Sequence, residues 1–207
     1  YRTRKRLTEE YLRRLNERIR ERLEESRRLG ADATGLRQSA REGAWSGGGD
    51  RRGYVKLHAL FDLETGAIRE VEATPGTRHE SPVLAGLLAE IDDVEAFVAD
   101  PGYLSRGNLR LVAERGGVPY IRPKRSSLEK AKGCRPWREM VCLFREHPHI
   151  FNRLYRLRPR MEAWWHSLKS IVGDLVRSKT IQTIKAEIWA KIVCYNLIWT
   201  IRRSNGF

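Results

Sequence analysis

The spacing of hydrophobic residues changes along the chain and predicts where helices give way to strands. Within residues 7–28, leucine and isoleucine recur at steps of three and four residues, which predicts a charged amphipathic helix. Residues 54–61 alternate between apolar and polar positions and predict a strand. A glycine-containing turn at 62–66 and a return strand at 67–73 complete a predicted hairpin.

The rest of the chain mixes both patterns. Residues 31–35 read as the end of a short strand, and residues 42–52 as a glycine-rich loop. Further strands are predicted at 94–99 and 118–121. Helices are predicted at 81–91, 105–115, 151–171 and 181–203, and residues 123–139 as irregular chain. This order predicts an α/β domain, with a mixed sheet flanked by helices and further helices at the C-terminus.

The 207 residues suffice for one domain with a substantial core, which we place at residues 31–207. We assign residues 1–30 to an N-terminal charged helix. Its apolar stripe favours a packing helix, while an arm that faces DNA or a second copy stays open as the alternative. Because the chain begins at Tyr1 rather than methionine, we expect a domain upstream.

The charged residues are distributed unevenly along the chain, and their balance indicates which class of partner the protein binds. The net charge of +14 indicates a polyanionic partner. Residues 62–100 hold ten acids and two bases, whereas residues 121–185 hold sixteen bases and five acids. An acidic strand region beside a basic C-terminal region fits a metal site next to a phosphate-binding surface. A merely solvated basic face is the alternative.

Three cysteines form no CxxC pair, and the sequence shows no signal peptide and no apolar run long enough to span a membrane. We therefore expect a reduced intracellular protein without a membrane partner. Cys142 lies near His147 and His149, but this spacing matches no common zinc finger.

The most informative motif joins Tyr155, Arg158, Glu162 and Lys169. On one continuous helix these four residues would lie within roughly 60° of each other. The stripe would carry a phenol, a guanidinium, a carboxylate and an ammonium. Three of these groups bond phosphate directly, and the carboxylate can hold a metal ion that does so.

Two further carboxylates are predicted at strand ends, Asp32 and Asp100. Strand ends at the rim of a sheet are where α/β folds place their sites. With Glu162 they would form a set of oxygen ligands that repel one another without a cation and that suit magnesium or manganese. Asp62, which ends a clear strand, is the alternative to Asp32.

Together these motifs resemble the catalytic domain of prokaryotic insertion-sequence transposases of the DDE type. The resemblance is to the branch with a tyrosine, arginine, glutamate, lysine signature, met here by Tyr155, Arg158, Glu162 and Lys169. Residues 98–103 resemble the strand with the second aspartate of the family, and residues 32–35 its first-aspartate segment. The resemblance covers roughly residues 30–200.

The resemblance implies a ribonuclease H-like fold in which Asp32, Asp100 and Glu162 are catalytic and bind magnesium or manganese, as two ions. It implies cleavage of phosphodiester bonds at transposon ends and transfer of the 3′-hydroxyl into target DNA. It also implies a homodimer in a synaptic complex and a cytoplasmic, nucleoid-associated prokaryotic protein. A catalytically inactive DNA-binding remnant is the alternative.

We expect seven residues to contact DNA. The signature supplies three, which by resemblance touch the DNA backbone or orient Glu162, and basic segments supply the others: Tyr155, Arg158, Lys169, Lys124, Arg125, Arg177 and Lys179. Pro159 cannot donate to the carbonyl of Tyr155, so we expect the regular helix to begin near Pro159. His58 alternates with apolar neighbours, which favours a hydrogen-bonded sheet residue over a ligand.

Overall fold

A computed structural model describes residues 7–39, 53–124 and 126–204. The strands within these ranges, β1 to β6, are Arg28–Gln38, Tyr54–Asp62, Ile68–Pro75, Ala96–Ala99, Val118–Ile121 and Leu175–Val176. The α-helices, α1 to α7, are Glu9–Arg20, Leu84–Leu87, Arg106–Ala113, Arg135–Glu146, Pro148–Tyr155, Arg158–Val172 and Ile181–Ser204. The predicted glycine loop at 42–52 and Arg125 lie outside the described residues.

The strands form one mixed sheet in the order β3-β2-β1-β4-β5. The first three strands are antiparallel, and β4 and β5 run parallel to β1. The short β6 pairs in parallel with the far end of β1. Helices α1, α6 and α7 pack near β1 to β3, and α3 to α5 pack near β4 and β5. The predicted ribonuclease H-like α/β fold is therefore confirmed.

The central strand allows a helix to approach it closely. A Cβ atom added at Gly30 would lie 2.7 Å from the Sδ atom of Met161 and 2.8 Å from Leu63. Met161 is fully buried, as is Leu168 two turns later on α6. Glycine in β1 thus leaves room for the apolar side of α6, and this contact fixes where the polar side of α6 lies.

The hairpin between β2 and β3 forms as predicted. Gly66 adopts a φ of +77°, which only glycine tolerates readily. The Asp62 carboxylate accepts hydrogen bonds from the backbone N–H groups of Ser26 at 2.6 Å, Thr65 at 2.8 Å and Glu64 at 3.0 Å. Asp62 is almost fully buried in this role.

A buried amide network joins α1, α7 and β3. Asn196 accepts from the backbone N–H of Ile68 at 3.0 Å and donates to its carbonyl at 2.8 Å. The same side chain donates to Asn16 at 2.6 Å. Leu12 and Ile19 of α1 belong to the main hydrophobic core. The first helix is therefore packed against the sheet domain through both apolar and polar contacts.

Five predictions about elements were wrong in detail. The amphipathic helix predicted over 7–28 ends at Arg20, and Arg28 is the first residue of β1. The segment around Asp32 is not a short strand end, because β1 runs eleven residues with Asp32 inside it. The expected helix over 81–91 is a 3-10 turn followed by the four-residue α2. Helix α4 begins within the segment predicted as irregular. The helix predicted at 151–171 is two helices, α5 and α6.

Helix α7 is the longest described helix, and neither it nor any other described helix is long and apolar enough to cross a membrane.

We expect Asn196→Ala to lower the free energy of unfolding by roughly 2–4 kcal/mol, because the Ile68 amide and the Asn16 side chain both lose a buried partner. Urea unfolding followed by circular dichroism measures this. Cys194→Ala, an exposed change on the same helix, should be within about 0.5 kcal/mol of wild type. Equal stability of both variants would contradict the network's role.

A second expected effect concerns His58, which is fully buried between Tyr103 and Thr74. Burial, aided by nearby Lys56, lowers the pKa of His58 from 6.5 to about 4. Between these values the unfolded chain binds a proton that the folded chain does not. The stability contributed by neutral His58 is thus complete above pH 6.5 and is lost as the pH falls toward 4.

Replacing His58 with glutamine should remove this part of the pH dependence. The measurement is the free energy of urea unfolding at several pH values from 7 to 4 for wild type and His58→Gln. Other titrating groups are common to both proteins, so the difference in slope isolates His58. Parallel curves would show that His58 is protonated equally in both states.

Candidate active site

Strand register places two aspartates side by side. Residues 28–31 of β1 pair in parallel with residues 96–99 of β4, so Ala31 lies opposite Ala99. The next residues in register are Asp32 and Asp100. Here β4 ends while β1 continues to its pairing with β6 at Arg37. The site therefore lies where the chain after β4 leaves the sheet beside an uninterrupted central strand.

Asp32 is the most buried of the three predicted ligands, with 9% of its surface exposed. Burial raises the pKa of its carboxyl to about 6, and the negative charges of Asp100 and Glu162 add to this. A backbone hydrogen bond from Ala33 and the positive charge of Arg158 act in the opposite direction. The three acids are thus close enough for each to influence the protonation of Asp32.

Arg158 bridges the other two acids. Its Nη2 atom donates to Oδ2 of Asp100 at 3.0 Å, and its Nη1 atom donates to Oε1 of Glu162 at 2.9 Å. The Nε atom is buried and has no hydrogen-bond partner among the described residues. Asp100 and Glu162 therefore face a shared space that a guanidinium fills.

The turn that follows Asp100 fixes the position of its carboxylate. Its Oδ1 atom accepts from the backbone N–H of Gly102 at 2.9 Å, capping a 3-10 turn at Pro101–Tyr103. The Tyr103 ring is fully buried, and its hydroxyl lies 3.3 Å from Nδ1 of His58. His58 is thus a hydrogen-bonded sheet residue, as predicted. Packing beneath the turn holds the second aspartate against the end of β4.

A break between α5 and α6 divides the four signature residues. Helix α5 ends at Tyr155, and α6 begins at Arg158 with a proline in its first turn. The expected helix start near Pro159 is confirmed. The single stripe of four residues is wrong for Tyr155, because Arg156 and Leu157 interrupt the helix. Arg158, Glu162 and Lys169 do share α6.

Lys169 lies two turns after Glu162 on α6, and its side chain reaches β1. Its Nζ atom donates to the hydroxyl of Thr34 at 2.7 Å. Thr34 lies two residues after Asp32 and hence on the same face of the strand. The polar side of α6 therefore follows β1 from Asp32 to Thr34, with the glutamate at one end and the lysine at the other.

Tyr155 belongs instead to a cationic groove next to the site. The residues that line this arginine groove are Arg122, His149, Asn152, Arg153, Tyr155 and Arg156. The Arg122 guanidinium lies over the Tyr155 ring, 5.4 Å from its centre. Burial raises the pKa of Tyr155, and the charges of both Arg158 and Asp100 act on it. The groove thus adjoins the carboxylates.

Of the other cations predicted to bind DNA, Lys124, Arg177 and Lys179 have exposed side chains. Arg177 and Lys179 lie on the loop between β6 and α7. The Glu187 carboxylate anchors this loop by accepting from the backbone N–H of Arg177 at 2.9 Å and of Ser178 at 2.8 Å.

Sequence reasoning missed Arg122, Arg153 and Arg156. In the described part of the chain these three arginines form no ion pair. The spacing of Arg153 and Arg156 around Tyr155 is a signal that could have identified two of them. Arg122 is brought to them only by the fold.

The described residues place three potential metal ligands within 4.8 Å of one another at one location, formed by Glu129, Cys142 and Glu146. Glu129 already pairs with Arg145 at 2.8 Å. The oxygen atoms of Asp32, Asp100 and Glu162 are not all this close to one another, and Arg158 is hydrogen-bonded to two of the three acids.

Comparison with known proteins agrees with this geometry. The sequence matches the family described as "Transposase DDE domain" over residues 24–197, which is most of the chain. Neither the curated proteins nor the solved structures yielded a match. The family match and the ribonuclease H-like sheet together show that this chain belongs to the transposase DDE domain family.

Proposed function

We propose that this transposase domain cleaves phosphodiester bonds at the ends of a mobile element and joins the freed 3′-hydroxyl to target DNA, with divalent metal ions as cofactors. The observation that carries this proposal is that Asp100 and Glu162 both bond the Arg158 guanidinium close to Asp32. A strand end with three acids and a bridging guanidinium has the charge balance of a cation site.

The donor set fits magnesium or manganese. Three carboxylates offer only hard oxygen atoms, which these ions prefer. When bound, a pair of such ions would activate the attacking oxygen and stabilise the leaving oxygen of an in-line displacement. We assign Asp32, Asp100 and Glu162 as the ligands. Asp62 is not assigned, because its carboxylate already accepts several hydrogen bonds in the hairpin.

Basic residues near the three acids would hold the DNA backbone in place. The arginine groove carries three guanidinium groups, those of Arg122, Arg153 and Arg156, that form no ion pair with any described residue. Lys169, Lys124 and the anchored loop with Arg177 and Lys179 extend the cationic surface, and Arg125 follows Lys124 in the sequence. We propose that they hold the phosphate backbone so that the bond to be cut lies at the acids.

The alternative is a DNA-binding remnant without activity. A disrupted first strand or a missing acid would favour it. The continuous β1 and the neighbouring positions of Asp32 and Asp100 favour an enzyme instead. We further propose that the domain acts as a homodimer holding two DNA ends, in the nucleoid of a prokaryotic cell.

We expect Glu162→Gln to reduce cleavage by about 100-fold or more, because a glutamine is a poor ligand for the ion that stabilises the transition state. DNA binding should change little. The measurements are cleavage of labelled duplex carrying the ends of the element, with magnesium or with EDTA, and a gel-shift titration. Glu139→Gln, exposed and remote on α4, is the matched control. Equal loss of cleavage and binding would contradict a ligand role for Glu162.

Substitutions in the arginine groove should weaken DNA binding through phosphate contacts. Arg153→Ala and Arg156→Ala should each make the negative slope of log K against log salt shallower by about 0.9. Fluorescence anisotropy of a labelled duplex at several salt concentrations measures this slope. Arg135→Ala is the control, because it removes the same charge from a residue already paired with Glu139. If Arg153→Ala and Arg156→Ala had the same slope as wild type, DNA would not lie in the groove.

A further inference from the structure

Arg158 occupies the atoms that a metal ion would need. Both oxygens of Asp100 are engaged, Oδ1 by the Gly102 amide and Oδ2 by Arg158. Oε1 of Glu162 is held by the same guanidinium. An ion that binds Oδ2 of Asp100 and Oε1 of Glu162 has to displace the guanidinium, because two positive charges at these oxygens would repel each other strongly.

The bridge leaves the guanidinium incompletely satisfied. Arginine offers five N–H donors in a planar fork, and the buried Nε of Arg158 has no acceptor among the described residues. A buried donor without a partner destabilises the arrangement that contains it. A phosphate group accepts two parallel N–H bonds from a guanidinium and, once the side chain has turned toward it, would satisfy the Nε together with a terminal nitrogen.

A phosphate acceptor would arrive next to this residue. Arg158 begins α6 directly after the two-residue break, and its charge acts on Tyr155 in the arginine groove. The guanidinium thus lies near both the groove and the acids. A DNA strand in the groove would bring phosphate oxygens near Arg158.

We propose that Arg158 is a switch that couples metal binding to DNA binding. In the absence of DNA it holds Asp100 and Glu162 and competes with the ion. When DNA binds, Arg158 turns to a backbone phosphate and releases both carboxylates. The proposal rests on the metal and DNA sites proposed above and adds a linkage between them, so that the ions bind firmly only when a substrate strand is in place.

The linkage has a sign that can be measured. Since each ligand favours the same position of Arg158, DNA tightens metal binding and metal tightens DNA binding by the same factor. Coupling of this kind is typically of the order of tenfold. Without the guanidinium, the carboxylates would be open to the ion whether or not DNA is present.

The test measures manganese binding by electron paramagnetic resonance of free Mn²⁺, with and without duplex DNA of arbitrary sequence, after subtracting binding to DNA alone. Wild type should bind Mn²⁺ about tenfold more tightly with DNA present. Arg158→Ala should bind Mn²⁺ more tightly than wild type without DNA, and DNA should add much less. Arg158→Lys, which cannot bridge both acids with a planar fork, should lie between them.

Arg160→Ala is the matched control, since it removes an equal charge two residues away whose guanidinium is hydrogen-bonded, within the described part of the chain, to the Leu63 carbonyl rather than to an acid. Circular dichroism confirms that each variant is folded. If Mn²⁺ binding depends on Asp100 and Glu162 but is equal in Arg158→Ala and Arg160→Ala, the switch is overturned while the proposed function stands. If Asp100→Asn and Glu162→Gln leave Mn²⁺ binding unchanged with DNA present, the metal site itself is overturned, and the switch with it.

Discussion

Electrostatic repulsion among three carboxylates is the constraint around which this domain is arranged. Asp32 is nearly buried in the central strand, and Asp100 follows β4 at the neighbouring position. Like charges in such a place raise each other's pKa values unless a cation is near. The chain places Arg158 in that position, where it holds two of the acids together and lowers the cost of bringing them near the third.

Packing then determines how accurately the third acid is placed. Glu162 follows Met161, and Met161 lies against Gly30, two residues before Asp32. The hydrophobic contact and the carboxylate site thus depend on the same two elements, β1 and α6. At the other end of α6, Lys191 donates to the carbonyls of Val172 at 2.6 Å and Gly173 at 3.2 Å. Helix α6 is therefore fixed at its side and at its C-terminal end.

The fold class could be predicted from sequence because it depends on local patterns. The hairpin at 62–66, the strand at 118–121 and the helix start near Pro159 each follow from nearby residues. The length of β1 could not be predicted, because Gly30 and Gly35 within it are poor strand formers and the strand forms through pairing on both sides. The Arg158 bridge was also missed, since Asp100 lies 58 residues away in the chain.

The interruption between α5 and α6 places the groove residues and Glu162 on two different helices. Helix α5 contributes Arg153 and Tyr155 to the groove and packs near β4 and β5, while α6 presents Glu162 and packs on β1. Only Arg156 and Leu157 join them. Under the proposed function, a substitution on α5 would consequently change how DNA is held without moving Glu162 on α6.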